Sequence, residues 1–335
     1  MKRYWKKVLL GTLLFFLFAT LVIFLLARKE RPEQIIYGMS FNTLYANELG
    51  LDWKVTYDAI LDDLGVRHLR LAGHWPMVEP LRDQYNFTEL DYQIARAEEV
   101  GADVVLAVGR RLPRWPECHI PQWAEGLTWE EQKVEILEQI REVVLRYKDS
   151  EAVTYIQVEN EPYLEVFAKA HCGEFDEDFL IEEIAFVKSL GVTQPILVTD
   201  SGNLGTWTGA YKNGDAFGTS VYVHFWNPEL GQFKTILPPW FYRAKESVVQ
   251  LVYDKKETFL IELSAEPWLL EPITDVSIET QFTRMDIEKL NDILEYAKDT
   301  RYEKQYLWGA EWWYWLAENG HQDMWDRGKL LFDSE

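Results

Sequence analysis

The chain has 335 residues and a formal net charge of −21, since 55 Asp and Glu outnumber 34 Lys and Arg. A surface this acidic repels nucleic acid and anionic lipid head groups, so we expect no nucleic acid partner and favour neutral ligands. The chain also contains 15 Trp, whose indole rings serve either in core packing or as flat apolar surfaces for a ligand.

The first segment of the chain is strongly apolar. Residues 8–27 contain no charged side chain, and a helix of about 20 residues spans the hydrocarbon core of a bilayer. More Lys and Arg precede this segment than follow it, which favours a cytoplasmic N-terminus. We therefore predict a cytoplasmic segment 1–7, a transmembrane signal anchor 8–27, a linker 28–34 and one extracytoplasmic domain 35–335. A cleaved signal peptide, with secretion of the remainder, is the alternative.

Short apolar segments rich in β-forming residues recur from residue 35 onward. They predict strands at 35–40, 67–71, 103–108, 153–158, 195–198, 217–222, 258–262 and 305–308. Apolar residues at intervals of three and four predict helices at 53–64, 90–100, 129–147, 177–190, 242–253 and 281–297. Eight such units are typical of a (β/α)8 TIM barrel. A doubly wound open sheet is the alternative, but no Gly-x-Gly-x-x-Gly follows the first strand.

The fourth predicted strand ends in Asn160-Glu161-Pro162. An apolar strand delivers Glu161 to the rim of the barrel, where chemistry takes place in this fold, and Pro162 ends the strand because it lacks an N–H. These three residues resemble the acid/base motif at the end of the fourth strand of clan A glycoside hydrolases. The resemblance implies that Glu161 is a general acid/base.

Glycoside hydrolysis by a retaining mechanism needs a second carboxyl group, about 5–5.5 Å from the first. Glu262 ends the seventh predicted strand, which lies across the barrel mouth from the fourth, so we predict that Glu262 is the nucleophile. Three other acids compete with it. Glu159 is expected to point inward, deeper in the barrel, Glu266 to lie in the following loop, and Glu311 to line the site from the eighth strand.

The similarity to clan A barrels, of the family 5, 39 and 42 type, extends over the chain from residue 35 onward. It implies a retaining glycosidase in which Asn160 binds the sugar 2-hydroxyl and Arg70 supports the nucleophile. It also implies that Tyr222 or His224 is the donor from the sixth strand and that Trp308 is the platform beneath the bound sugar.

Other residues near the strand ends have two interpretations each. Arg70 is equally compatible with an ordinary buried ion pair. His74 is expected to form hydrogen bonds or to line the substrate site rather than to bind a metal. Core packing and sugar contact are both open as roles for Trp75, Trp115 and Trp226.

The two cysteines, Cys118 and Cys172, each lie next to a histidine. Outside the cytoplasm they are expected to form a disulfide, with two free thiols or a Cys2His2 zinc site as alternatives.

The expected function is hydrolysis of β-linked oligo- or polysaccharides by double displacement with two glutamates, without a cofactor or a metal. A membrane-tethered transglycosylase, a non-catalytic glycan-binding barrel and a zinc-dependent hydrolase are the alternatives. Clan members often have Thr or Ser before the nucleophile, whereas Ile261 precedes Glu262 here, so the subfamily stays open.

Overall fold

Strands and helices alternate along the chain in the computed structural model, which describes residues 2–173 and 175–333. The strands are β1 (Ile36–Ser40), β2 (His68–Ala72), β3 (Asp103–Val108), β4 (Val153–Val158), β5 (Ile196–Asp200), β6 (Ala216–Val221), β7 (His224–Asn227), β8 (Gly231–Lys234), β9 (Thr258–Ser264) and β10 (Lys304–Trp308). The helices are α1 (Lys2–Leu26), α2 (Thr43–Glu48), α3 (Trp53–Asp62), α4 (Trp75–Val78), α5 (Thr88–Val100), α6 (Trp129–Tyr147), α7 (Glu165–Cys172), α8 (Glu177–Ser189), α9 (Thr208–Asn213), α10 (Pro239–Val249), α11 (Ile278–Arg284), α12 (Ile287–Thr300), α13 (Ala310–Glu318) and α14 (Asp323–Phe332). Short 3-10 turns lie at Gln122–Ala124 and Ile273–Asp275.

Eight of these strands form a closed parallel barrel in the order β1-β10-β9-β6-β5-β4-β3-β2. All eight predicted strands are therefore confirmed, and closure of the sheet excludes the doubly wound alternative. The strands are buried on both faces, as parallel strands covered by helices must be. Inward-facing side chains of five of these strands fill the barrel interior with Val105, Leu197, Ala216, Phe259, Ile261 and Tyr306.

The helices follow the predicted pattern with one exception. The segment 281–297, predicted as one helix, is divided between α11 and α12. The division arises because Met285 is extended, and the side chain of Asp286 then accepts a hydrogen bond from Lys289 N (2.8 Å), which starts α12. Gly65, Gly101 and Gly191 adopt positive φ after their helices, the conformation for which glycine is favoured at the end of a helix.

A β-hairpin, β7 paired antiparallel with β8, follows β6. The sequence analysis placed its first residues at the end of the sixth barrel strand. Instead they leave the barrel, which has consequences for two predicted site residues described below.

Helix α1 contains an 18-residue stretch, Leu9–Leu26, with a mean hydropathy of 2.8. By length and composition it could cross a membrane. The residues that follow α1 contact the bottom of the barrel, where the strands begin: Lys29 pairs with Glu246 of α10 (2.8 Å), and Arg31 pairs with Asp299 of α12 (3.1 Å).

Candidate active site

Arg70 of β2 lies at the centre of the polar side chains in the barrel mouth. Its guanidinium donates from Nε to Gln157 Oε1 (2.9 Å), from Nη1 to Glu262 Oε1 (2.7 Å) and from Nη2 to Asn160 Oδ1 (2.7 Å). The rigid fork of an arginine holds three partners in fixed directions. Arg70 therefore orients residues from two different strands, β4 and β9.

Glu262 of β9 receives a donor on each carboxylate oxygen. Arg70 binds Oε1, and the Tyr222 hydroxyl donates to Oε2 (3.0 Å). Burial and the nearby Glu262 raise the pKa of Tyr222 well above its usual value, so the phenol keeps its proton and remains a donor. These two donors, one of them cationic, hold the Glu262 carboxyl group in a fixed orientation.

Glu161 follows β4 and lies in a different environment. Its backbone has φ of 43°, its N–H donates to Thr199 Oγ1 (2.8 Å), and the Ser220 hydroxyl donates to its Oε1 (2.6 Å). Burial raises the pKa of Glu161 well above its usual value, and the charge of Glu262 raises it further. Both effects favour the protonated form of Glu161.

A third carboxyl group, that of Glu117, lies close to this pair. It follows β3, and its Oε2 accepts from Arg111 Nε (2.7 Å). Burial raises the pKa of Glu117, with a further contribution from Glu262, while Arg111 opposes the shift. No role was predicted for Glu117 from the sequence.

Aromatic rings form one wall of the mouth. The ring of Tyr222 lies 6.4 Å from that of Trp308 and 5.6 Å from that of Trp268, in edge-on orientations. In the part of the chain that the structure describes, the buried indole N–H of Trp308 and the buried Ser40 hydroxyl have no hydrogen-bond partner. Because unpaired buried polar groups are unfavourable, hydroxyl groups of a ligand would suit this wall.

The competing glutamates all contact protein groups. Glu159 accepts from Arg110 N (2.7 Å) and Arg111 N (2.6 Å), and so holds the loop after β3. The prediction that Glu159 points into the barrel is wrong, because its φ of 57° breaks the side-chain alternation of β4. Glu266 forms an ion pair with Arg114 (2.7 Å).

Glu311 lies in the first turn of α13, beyond the eighth barrel strand, and accepts from Asn42 N (2.6 Å). It is almost fully buried, and this burial raises its pKa to about 7. It lies among the groups at the ends of β1 and β10.

Folding should therefore become less favourable as the pH rises towards the raised pKa of Glu311. The folded protein retains a proton on Glu311 between pH 4.5 and about 7, where the unfolded chain has lost it, so stability falls with rising pH in this window. The loss amounts to about 3 kcal/mol. Glu311→Gln should remove this contribution, so that stability falls less steeply with pH than in wild type, as measured by urea unfolding across the same pH range. The exposed control Glu125→Gln should follow the wild-type curve, and a Glu311→Gln curve parallel to wild type would contradict the assignment.

Two predicted site residues on the hairpin point away from the mouth. His224 Nε2 pairs with Asp292 Oδ2 of α12 (2.8 Å), and the Trp226 ring lies 3.4 Å from the guanidinium of Arg284 in α11. They lie on β7, which belongs to the hairpin and not to the barrel, and their contact with substrate stays a prediction. Tyr222, the other proposed donor from the sixth strand, is the one that contacts Glu262.

For Trp75 the structure favours core packing, one of its two predicted interpretations. It is completely buried, donates to Glu79 Oε2 (2.8 Å) and packs edge-on against Trp123, so it belongs to the core. His74 is buried near the ends of β1 and β2 and donates to Pro113 O (3.2 Å). Burial lowers the pKa of His74 to about 3, so it is neutral. Trp115 is 60% exposed and lies against His171 at the rim.

Cys118 and Cys172 form a disulfide that links the segment after β3 to the end of α7. Because both sulfur atoms belong to the disulfide, neither cysteine provides the thiolate that the Cys2His2 zinc alternative requires. Among the described residues no group of three or more His, Cys, Asp or Glu side chains is arranged to hold a metal ion.

The residues that sequence reasoning missed at this site are Gln157, Thr199 and Ser220. Gln157 carries a usable signal, since it is polar within an apolar strand and shares parity with Glu161. Thr199 and Ser220 resemble ordinary strand residues, and only the closure of the barrel brings them to Glu161.

A parallel eight-stranded barrel with carboxyl groups at β4 and β9 defines the architecture, and solved structures share it. No protein-family model and no curated protein matches the chain. Among solved structures, GH5_18 from Bifidobacterium longum subsp. longum has a TM-score of 0.56 and 15% identity, covering 82% of this chain and 70% of that one. GH5_18 from Streptomyces cattleya in complex with GlcNAc has a TM-score of 0.56 and 13% identity, with the same coverage of 82% and 70%.

Xylanase 10B from Thermotoga petrophila, in complex with xylobiose, has a TM-score of 0.53 and 18% identity, and 82% of each chain is covered. These neighbours are glycoside hydrolases built on parallel barrels. At such identities the likeness establishes the (β/α)8 fold of this chain.

Proposed function

We propose that the chain is a retaining glycoside hydrolase that cleaves β-linked glycans, with Glu161 as general acid/base and Glu262 as nucleophile. The observation that supports this most strongly is the contrast between two neighbouring carboxyl groups. Donors from Arg70 and Tyr222 surround Glu262, whereas burial and negative neighbours raise the pKa of Glu161. Environments that separate two acids in this way assign the acid and the nucleophile.

The proposed reaction has two steps. In the first, a Glu262 oxygen forms a bond to the anomeric carbon while Glu161 gives its proton to the departing glycosidic oxygen. In the second, Glu161 takes a proton from water, whose oxygen attacks the same carbon and breaks the bond to Glu262. Each step inverts the anomeric carbon, so the sequence as a whole retains its configuration.

Substrate-binding roles follow from the same geometry. Asn160, held by Arg70, is proposed to contact the sugar 2-hydroxyl, and Trp308 to lie under the ring with its unpaired indole N–H free for a hydroxyl. Carbohydrate as the ligand class is supported by neighbouring structures that hold Manb1-4GlcNAc and xylobiose.

The direct test is hydrolysis of a panel of aryl β-glycosides and β-linked polysaccharides by the full chain in detergent. The sugar that is first released should have the β configuration. Proton NMR, recorded before mutarotation, identifies this anomer. Release of the α anomer would contradict double displacement, and inactivity across the panel would contradict the proposal. Adding an acceptor sugar distinguishes hydrolysis from transglycosylation.

We also propose that α1 is a signal anchor, with a cleaved signal peptide as the alternative. Its connection to the barrel runs through Lys29 and Arg31 at the bottom of the barrel, where the strands begin. The proposed site opens at the opposite end, away from the membrane surface that α1 would enter.

A further inference from the structure

The segment 110–119, hereafter the strap, leaves β3 and folds back on itself. Arg111 and Cys118 form an antiparallel bridge, and Leu112 N donates to Glu117 O (2.8 Å). Two further links fix its base: Asn160 N donates to Arg111 O (2.6 Å), and Cys118 forms the disulfide to α7. The strap is therefore a tied element of the mouth rather than a free loop.

The strap crosses the barrel mouth from one side to the other. Arg114 Nη1 donates to Glu266 Oε1 (2.7 Å) in the loop after β9, and the Arg114 guanidinium lies 3.2 Å from the centre of the Tyr45 ring in α2. In the barrel order three strands separate β3 from β9 on each side, so the two strands are diametrically opposed. The Arg114–Glu266 ion pair thus joins two loops that follow opposite strands of the barrel.

The strap also fills the side of the mouth above β1 and β2. Pro113 O accepts from Asn42 Nδ2 (3.2 Å) and from His74 Nε2 (3.2 Å). Side chains on this side, Asn42, Tyr45, His74 and Glu311, are at most 9% exposed. With Pro113 above them, these buried side chains leave the mouth closed on the side of β1 and β2.

The other side of the mouth remains accessible. Tyr222, Trp268 and Trp308 are all partly exposed there, and Glu161 lies at its edge on β4. Because the general acid must contact the departing oxygen, the leaving part of the glycan lies on the Glu161 side. The closed side then lies at the non-reducing end of the sugar whose anomeric carbon is attacked.

We infer that the strap restricts this enzyme to chain ends: the terminal, non-reducing sugar lies against the strap over Trp308, and the rest of the glycan extends past Glu161. This inference rests on the proposed glycosidase activity and adds the form of substrate to it. Arg114 and Glu266 are positioning residues, since they hold the strap and do not touch the reacting atoms.

The test uses the full chain in detergent with β-linked oligosaccharides of increasing length, each labelled at its reducing end. Wild type should release only products shortened by one unit at the non-reducing end, at every time point. Internal products from wild type would overturn the inference while leaving glycosidase activity intact. If no aryl glycoside is hydrolysed, the proposed function fails, and the inference fails with it.

Release of the strap should change the product pattern. Arg114→Ala, which removes the cross-mouth ion pair, should generate internal products while turnover of the aryl glycoside is retained. Glu266→Gln provides a second variant that keeps the size of the buried side chain if Arg114→Ala fails to fold. The matched control is Arg146→Ala, which loses an equally short pair with Asp91 (2.6 Å) on the outer helices and should keep the wild-type pattern. A folded strap variant with unchanged products would overturn the inference.

Discussion

Replacement of Glu262 by Gln is expected to reduce turnover below detection for every glycoside, whatever its leaving group. The amide cannot form the bond to the anomeric carbon that both steps require. In wild type, the two carboxylate oxygens of Glu262 accept hydrogen bonds from Arg70 and Tyr222. The amide of Gln has only one oxygen to accept from these two donors. The measurement is initial rate with an activated aryl glycoside and with an oligosaccharide, on protein whose melting temperature has been checked.

The matched control for this variant is Glu266→Gln, four residues further along. Glu266 is also a buried carboxyl group with an arginine partner, but that partner is Arg114 in the strap. The aryl glycoside should still be hydrolysed by this control. Full activity in Glu262→Gln, or its loss in Glu266→Gln alone, would move the nucleophile to the second residue.

Replacement of Glu161 by Gln is expected to slow hydrolysis of glycosides with poor leaving groups by about 10²–10⁴-fold, the usual contribution of a general acid. An activated aryl leaving group departs without protonation, so the first step should survive with such a substrate. The second step then lacks its base, and a glycosyl group should accumulate on the protein. Intact-protein mass spectrometry detects this adduct.

The pH dependence of the same variant gives an independent measurement. Since burial and Glu262 raise the pKa of Glu161, wild type should remain active until pH rises past that raised value, where the proton is lost. In Glu161→Gln this alkaline decline should disappear. Glu159→Gln is the matched control, because Glu159 lies two residues earlier and bonds to the backbone of the strap. Equal leaving-group dependence in the two variants would reject Glu161 as the acid.

The barrel could be predicted from the sequence because its determinants are local. Each strand is a short apolar segment bounded by polar residues, and segments with helical periodicity separate successive strands. The position of Glu161 was accessible for the same reason, since the end of an apolar strand in a barrel is the rim. The position of Glu262 at the rim was predicted by the same reasoning.

Contacts between distant loops could not be predicted. The pair of Arg114 with Glu266 joins residues 152 positions apart, and neither has a local pattern that specifies the other. Local conformation also misled the analysis at Glu159, where one residue with positive φ turned the side chain away from the barrel. For His224 the hairpin decided the position, since Tyr222 and Val223, which separate the barrel strand from the hairpin, have the same β-forming character as the residues around them.

The backbone at the mouth has a consequence for the protein as a whole. Among the described residues, positive φ at non-glycine positions occurs at Arg114, Glu117, Glu159 and Glu161, and otherwise only at three sites elsewhere. Such a residue costs about 1–3 kcal/mol, and at Glu161 the unfavourable burial of a carboxyl group beside another is added to it. A substitution of Glu161 that relieves these costs would make the protein more stable but would remove the proposed catalytic acid. Thermal stability and turnover are therefore opposed at this position, and selection for one would be expected to weaken the other.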